Sequence, residues 1–199
     1  MMAMTHALAG LVLATLVVQV SGGDPAPLVA AGVAGSVLPD LDIYAGHRKT
    51  LHFPILGWAP AGFAVAVALA FPGIWTLALA TFLVGFALHP VMDYYGGGLE
   101  LRPWEGRSER AVYSHYHDRW LQPRRLVPYD GSPRDLALAG GLALPALTLP
   151  EPIPPLVLVT VVASAAYVVL RKRLASLWST IAHALPPELR GRVPDRFYE

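Results

Sequence analysis

The sequence predicts an all-α fold: a polytopic membrane bundle of about six transmembrane helices, with a small cytoplasmic lobe between helices four and five. Three observations predict it. Of the 199 residues, 54% are apolar and 15% charged, well under the roughly 25% that a water-soluble protein carries. No residue from Met1 to Gly23 is charged, and Phe53 to Met92 contains no Asp, Glu, Lys or Arg. The cations gather in alternate connections. The same composition excludes disorder, a coiled coil and a disulfide scaffold. The absence of cysteine excludes thiolate metal sites, iron–sulfur clusters and Cys nucleophiles.

Span one is the uncharged Met1–Gly23. Met1–Leu8 has no Lys or Arg, so the segment reads as a retained helix and not as a cleaved signal peptide. Span two is Ala26–Leu38. Spans three and four share Phe53–Met92, since each crossing takes about 20 helical residues, with the turn at Phe71-Pro72-Gly73. Spans five and six, Leu136–Leu149 and Ile153–Leu170, are split by Pro150-Glu151-Pro152. Spans two and five are short and rich in Gly, Ala and Pro, which suits tilting, re-entry or close packing. Four parts follow: a four-helix membrane half (1–93) carrying the candidate site, the cytoplasmic lobe (94–133), a C-terminal membrane hairpin (134–174) and a cytoplasmic tail (175–199).

Arg48 and Lys49 follow span two. Arg102, Arg107, Arg110, Arg119, Arg124, Arg125 and Arg134 follow span four, and Arg171, Lys172, Arg173, Arg190, Arg192 and Arg196 follow span six. The remaining connections carry only Asp24 and Glu151. The positive-inside bias therefore places both termini in the cytoplasm of a multi-pass protein of the cell (inner or plasma) membrane. A basic face of this kind is read as attraction to anionic lipid and not as nucleic-acid binding.

Ionisable residues at a membrane boundary are functional candidates by default. His6 opens span one, Asp40 and Asp42 close span two, His47 and His52 flank Arg48 and Lys49, and His89 and Asp93 close span four. On the expected topology all lie at cytoplasmic helix ends. His89 and Asp93, at i and i+4, share a helix face. Asp40 and Asp42 would point the same way if Pro39 ends the helix and the chain there is extended. Imidazole and carboxylate without thiolate suit a divalent metal, Zn²⁺ foremost with Mn²⁺ or Fe²⁺ as alternatives, in one or two ions. His115 and His117 could line one side of a strand as another site, and His183 has no assigned role.

Thr5-His6-Ala7-Leu8-Ala9-Gly10, Leu38-Pro39-Asp40-Leu41-Asp42, His47-Arg48 followed by His52, and His89-x-x-x-Asp93 stand in the order and spacing of the YdjM-like family, which this chain resembles. Gly97-Gly98-Leu99-Glu100-Leu101-Arg102-Pro103-Trp104 is similar to that family's glycine-to-Pro/Trp segment. The family is described as LexA-binding, inner-membrane-associated, metal-dependent hydrolases. The resemblance implies a membrane-embedded hydrolase with metal ligands among His6, Asp40, Asp42, His47, His52, His89 and Asp93; LexA binding is not carried over. Lys49, Leu51 and Phe53 replace the family's usual Gly, Thr and Ser. A looser likeness to zinc-dependent phospholipase C, in the order of its His and Asp residues, points to a phosphoester substrate.

The expected chemistry is metal-assisted hydrolysis, with Asp40 or Asp42 accepting a proton from water and Arg48, with Lys49, neutralising an anionic group. The expected partners are the lipid bilayer and a lipid or small phosphoester. Two rival readings keep the same residues: a metal-ion or proton transporter or channel, and a membrane scaffold whose lobe binds a partner.

Overall fold

The computed structural model describes residues 1–191 and 193–198; Arg192, expected among the tail cations, and Glu199 lie outside the described residues. Helix α1 (Ala3–Ser21) stops at Gly22, whose left-handed φ of 65° closes the helix end. Helix α2 (Pro25–Val37) starts with Pro in its first turn under the Asp24 carboxylate, which accepts the Ala26 N–H at 3.0 Å. It runs straight into a 3₁₀ turn over Leu38–Tyr44. Helices α3 (Trp58–Ala70) and α4 (Ile74–Tyr94) turn at the expected Phe-Pro-Gly, and α4 continues through Pro90.

Between α4 and α5 lie a short 3₁₀ turn (Pro103–Glu105) and an antiparallel hairpin of β1 (Val112–Ser114) and β2 (Arg119–Leu121), which pairs Val112 with Leu121 and Ser114 with Arg119. Helix α5 (Pro133–Ala146) is capped by Ser132, whose hydroxyl accepts the Asp135 N–H. Helices α6 (Ile153–Ala184) and α7 (Pro187–Arg190) follow.

Among the described residues, four stretches are long and apolar enough to cross a membrane: Ala3–Ser21, Pro25–Ile43, Ile74–Tyr94 and Ile153–Ala184. Helices α3 and α5 have 13 and 14 residues, a rise of about 20 Å each, against roughly 30 Å of hydrocarbon. The reasons are local. Residues 53–57 of the uncharged run are used in turns ahead of α3, and Pro145 sits at the end of α5. Helix α6 behaves oppositely. Its 32 residues carry it past Leu170, so the expected tail begins as helix. Val20, Leu69, Phe71, Trp75, Val162 and Val169 point outward, each more than two-thirds exposed, a surface suited to lipid and not to water.

Helix α2 packs between α1 and α4, and glycine makes this possible. Gly10 and Gly32 meet backbone to backbone, and Gly35 lies so close to α4 that a Cβ there would sit 2.8 Å from the Phe82 carbonyl carbon. Gly62 on α3 has nothing within 4 Å of an added Cβ. Gly35→Val should therefore destabilise the detergent-solubilised protein by about 2 kcal/mol or more through overpacking. Gly62→Ala should be neutral or stabilising by up to about 1 kcal/mol, as alanine replaces glycine within a helix. Thermal melts of both variants check this, and a Gly35→Val melting temperature at or above wild type would contradict the packing.

Candidate metal centre

The 3₁₀ turn decides what Asp40 and Asp42 do. With three residues per turn, side chains two apart diverge, so the expected common direction from an extended segment is not found. Asp40 faces α4. Asp42, 1% exposed, faces the 46–52 loop and has both oxygens committed: Oδ1 accepts from His47 Nδ1 (3.0 Å) and the Arg48 N–H (3.3 Å), and Oδ2 from His52 Nδ1 (3.0 Å) and the Leu51 N–H (3.1 Å). Asp42 thus orients the histidines and is not itself among the atoms that meet at the centre.

Those hydrogen bonds place one proton on each ring. An ionised carboxylate only accepts, so His52 donates from Nδ1, and in its neutral form it presents a lone pair at Nε2. His89 Nδ1 lies 2.6 Å from the Ser36 carbonyl oxygen, which also only accepts, so the neutral His89 likewise presents its lone pair at Nε2. His52 Nε2 is 3.5 Å from Asp93 Oδ2, and His89 Nε2 is 3.5 Å from both Asp93 Oδ2 and Asp40 Oδ1. Both Nε2 atoms are enclosed and without a hydrogen-bond partner among the described residues. Lone pairs facing carboxylate oxygens repel unless a positive charge lies between them.

Ligand atoms of Asp40, His52, His89 and Asp93 all lie within 4.8 Å of one another. A tetrahedral Zn²⁺ with bonds of about 2.0–2.1 Å holds its ligand atoms about 3.4 Å apart, so the donor set and its spacing fit a divalent cation. The other proposed ligands stand around this quartet. His6 stacks on His89 with ring centroids 3.7 Å apart, and its Nε2 is 3.2 Å from Asp93 Oδ1. The Met1 amino group lies 2.5 Å from the same oxygen. His47 bonds to Asp42 and meets the His52 ring edge-on at 5.9 Å.

Arg48, expected to neutralise an anionic group, lines the cavity and also has partners within the fold. Its Nε is 3.3 Å from Asp93 Oδ2, and its Nη1 donates to the Gly97 (2.8 Å) and Ala111 (3.4 Å) carbonyls. The residue is buried in a left-handed backbone conformation, φ 59°, so its cation is turned inward and balances Asp93. Lys49 reaches outward over the Tyr113 ring.

The hairpin braces the site loop. The Tyr113 N–H donates to the Arg48 carbonyl (2.9 Å), and His115 Nε2 bonds to the Lys49 carbonyl (2.7 Å) while its ring stacks on Phe53. His115 and His117, considered as a further metal site, do not come together on one ion; His117 bonds to Ser114. Sequence reasoning missed the Ser36 carbonyl, which carries no residue-type signal. It also missed Asp135, which anchors the start of α1 by accepting from the Met2 N–H (2.8 Å) and Thr5 Oγ1 (2.7 Å); an acidic residue one turn into an apolar helix was the available clue. A cavity of about 420 Å³ lies against Asp40, His47 and Arg48 and extends to Leu101, Leu174 and Arg171.

Apolar helices of spanning length and a buried His/Asp quartet define the class: a helical membrane protein with a candidate divalent-cation centre. The chain belongs to the family described as YdjM inner membrane protein, whose model matches residues 1–176. No curated protein and no solved structure matches it. His89→Ala should abolish stoichiometric metal in the detergent-purified protein, and Asp42→Asn should weaken metal binding by about 10- to 100-fold by releasing His52. Elemental analysis and competitive chelator titration measure both. Retention of wild-type metal by His89→Ala would remove the assignment.

Proposed function

We propose that the protein is a metal-dependent hydrolase that cleaves a phosphoester carried by a phospholipid or lipid phosphate at the cytoplasmic face of the membrane. The observation that carries this reading is the pair of enclosed, bare Nε2 atoms converging with two carboxylates beside a cavity. A divalent cation, Zn²⁺ above all, would be held by His52, His89 and Asp93, leaving Asp40 beside an open position, and would supply a Lewis acid and a water of lowered pKa.

The chain's own residues divide the remaining work. Asp40 is the member of the quartet that lines the cavity, with its side chain 27% exposed; it accepts the proton of the attacking water. Asp42 and the Ser36 carbonyl hold His52 and His89 in their ligating tautomers. His6 and Arg48 place opposing charge and N–H groups around Asp93. The tight enclosure of His52, His89 and Asp93 keeps bulk water from the inner side.

Chelation with EDTA should abolish phosphoesterase activity towards lipid phosphates in mixed micelles, and Zn²⁺ or Mn²⁺ add-back should restore it. Activity indifferent to chelation would overturn the proposal. Metal flux into proteoliposomes without turnover would favour carriage instead.

The orientation is part of the proposal, supported by the charge distribution. The chain has no cysteine, so single cysteines report it directly. Lys49→Cys should react with an impermeant maleimide only after the inner membrane is opened, and Glu151→Cys should react in intact spheroplasts. The reverse pattern would invert the topology.

A further inference from the structure

The cavity beside Asp40 reaches a charged group on its other wall that the reaction above does not use. Arg171, on α6, is only 8% exposed. Its Nε and Nη2 donate to Asp130 at 2.8 and 3.1 Å, Nη2 also donates to the Leu101 carbonyl at 3.1 Å, and the guanidinium lies 5.3 Å from the Trp104 ring centre. Tyr167 donates to the same Asp130 carboxylate at 2.7 Å. This is a built arrangement. Gly131, at φ 77°, lets the loop close on α6, where a Cβ would come 2.9 Å from the Tyr167 ring and 3.1 Å from Arg171 Cγ.

All of these bonds use one edge of the guanidinium. Nη1 makes no hydrogen bond among the described residues and is not an enclosed atom, so its two N–H groups remain available where Arg171 lines the cavity. A planar guanidinium locked on one edge and open on the other is suited to phosphate oxygens. Glu100 and Asp130 also line the cavity, and along α6 the lining turns apolar with Leu174 and Trp178, the latter 51% exposed and edge-on to the Phe197 ring.

We propose that Arg171 is an anion-recognition residue and that this cavity binds an amphiphilic phosphate. The phosphate sits between Asp40 and the open edge of Arg171, and an alkyl chain runs along Leu174 and Trp178. The inference rests on the hydrolase reading in that it names that reaction's substrate class, but binding itself requires no turnover.

The test is therefore a binding measurement in EDTA. Dioctanoyl phosphatidate is titrated into the detergent-purified full chain, with tryptophan fluorescence and thermal shift as readouts. Inorganic phosphate and dioctanoylglycerol should each bind at least about tenfold more weakly than the phosphatidate, because each lacks one of the two recognised parts. Arg171→Gln should weaken phosphatidate binding by about tenfold, the loss expected for hydrogen bonds to a charged group. Asp130→Asn should tighten it, because Arg171 loses its competing carboxylate. A merely structural ion pair would make both variants change in the same direction, which would overturn the proposal, as would equal binding of dioctanoylglycerol.

The wild-type chain gives a readout that does not depend on variant folding. A diazirine-bearing phosphatidate should label peptides containing Met4, Leu99 or Leu174; labelling confined to lipid-facing positions such as Leu158 and Val162 would sink the assignment. Binding without hydrolysis would leave this inference standing and remove the hydrolase. Hydrolysis with wild-type binding by Arg171→Gln would do the reverse.

Discussion

Two imidazoles with their Nδ1 protons already engaged turn their Nε2 atoms towards carboxylate oxygens, and the surrounding groups are arranged around that convergence. In a protein whose helices face lipid, an uncompensated cluster of this kind is costly. Positive groups accordingly crowd its rim: Arg48 lies against Asp93, and the Met1 amino group lies on the other oxygen of the same carboxylate. They balance Asp93 without reaching between the two Nε2 atoms and Asp40. A divalent cation has the charge and the ligand spacing to satisfy these donors together.

Close packing is what lets the donors meet. The Ser36 carbonyl lies in the last turn of α2, where carbonyls lack an intrahelical partner, and His89 Nδ1 reaches across from α4 to take it. That reach depends on how nearly α2 approaches its neighbours. Added Cβ atoms at Gly10 and Gly85 would come 2.7 and 2.6 Å from the Ser36 hydroxyl, so α1, α2 and α4 are drawn together at this level. The small residues of α2 therefore set the orientation of the His89 imidazole.

How much of this was legible in the sequence depends on the range of the interaction. His89 and Asp93 share a helix face because i and i+4 always do, and Asp40 and His52 were readable as polar residues out of place at helix ends. The pairing of Asp40 with Asp42 was not, because it turned on whether the chain after Pro39 is extended or a 3₁₀ turn, and one residue of backbone twist sends Asp42 to the 46–52 loop. Arg48 was read, with Lys49, as a cation placed to neutralise an anionic group; that its left-handed backbone conformation also brings it against Asp93 is signalled by nothing in the residue type. The apolar run gave α3 a full crossing and left the extent of α5 open; turns at residues 53–57 and Pro145 keep them to 13 and 14 residues. Contacts made through backbone atoms, such as Ser36 to His89 and Tyr113 to Arg48, leave no mark in the composition at all.

The distribution of polar groups along the helices separates the two chemistries that a buried His/Asp cluster can serve. A carrier needs polar side chains that continue towards the bilayer midplane. Farther along α1 and α4 from the quartet, the buried polar residues are Thr15 and Thr81, and their hydroxyls donate to the carbonyls of Leu11 and Leu77 in their own helices at 2.8 Å. Ser164 on α6 likewise donates to Thr160. Hydroxyls satisfied in this way present their methyl or methylene groups to neighbours and offer no relay for an ion or a proton. The ionisable donors instead stop at one end of the bundle, where the hairpin segment covers them on one side and a cavity borders them on the other. An arrangement that collects its ionisable groups at a single depth differs from the midplane site expected of a carrier.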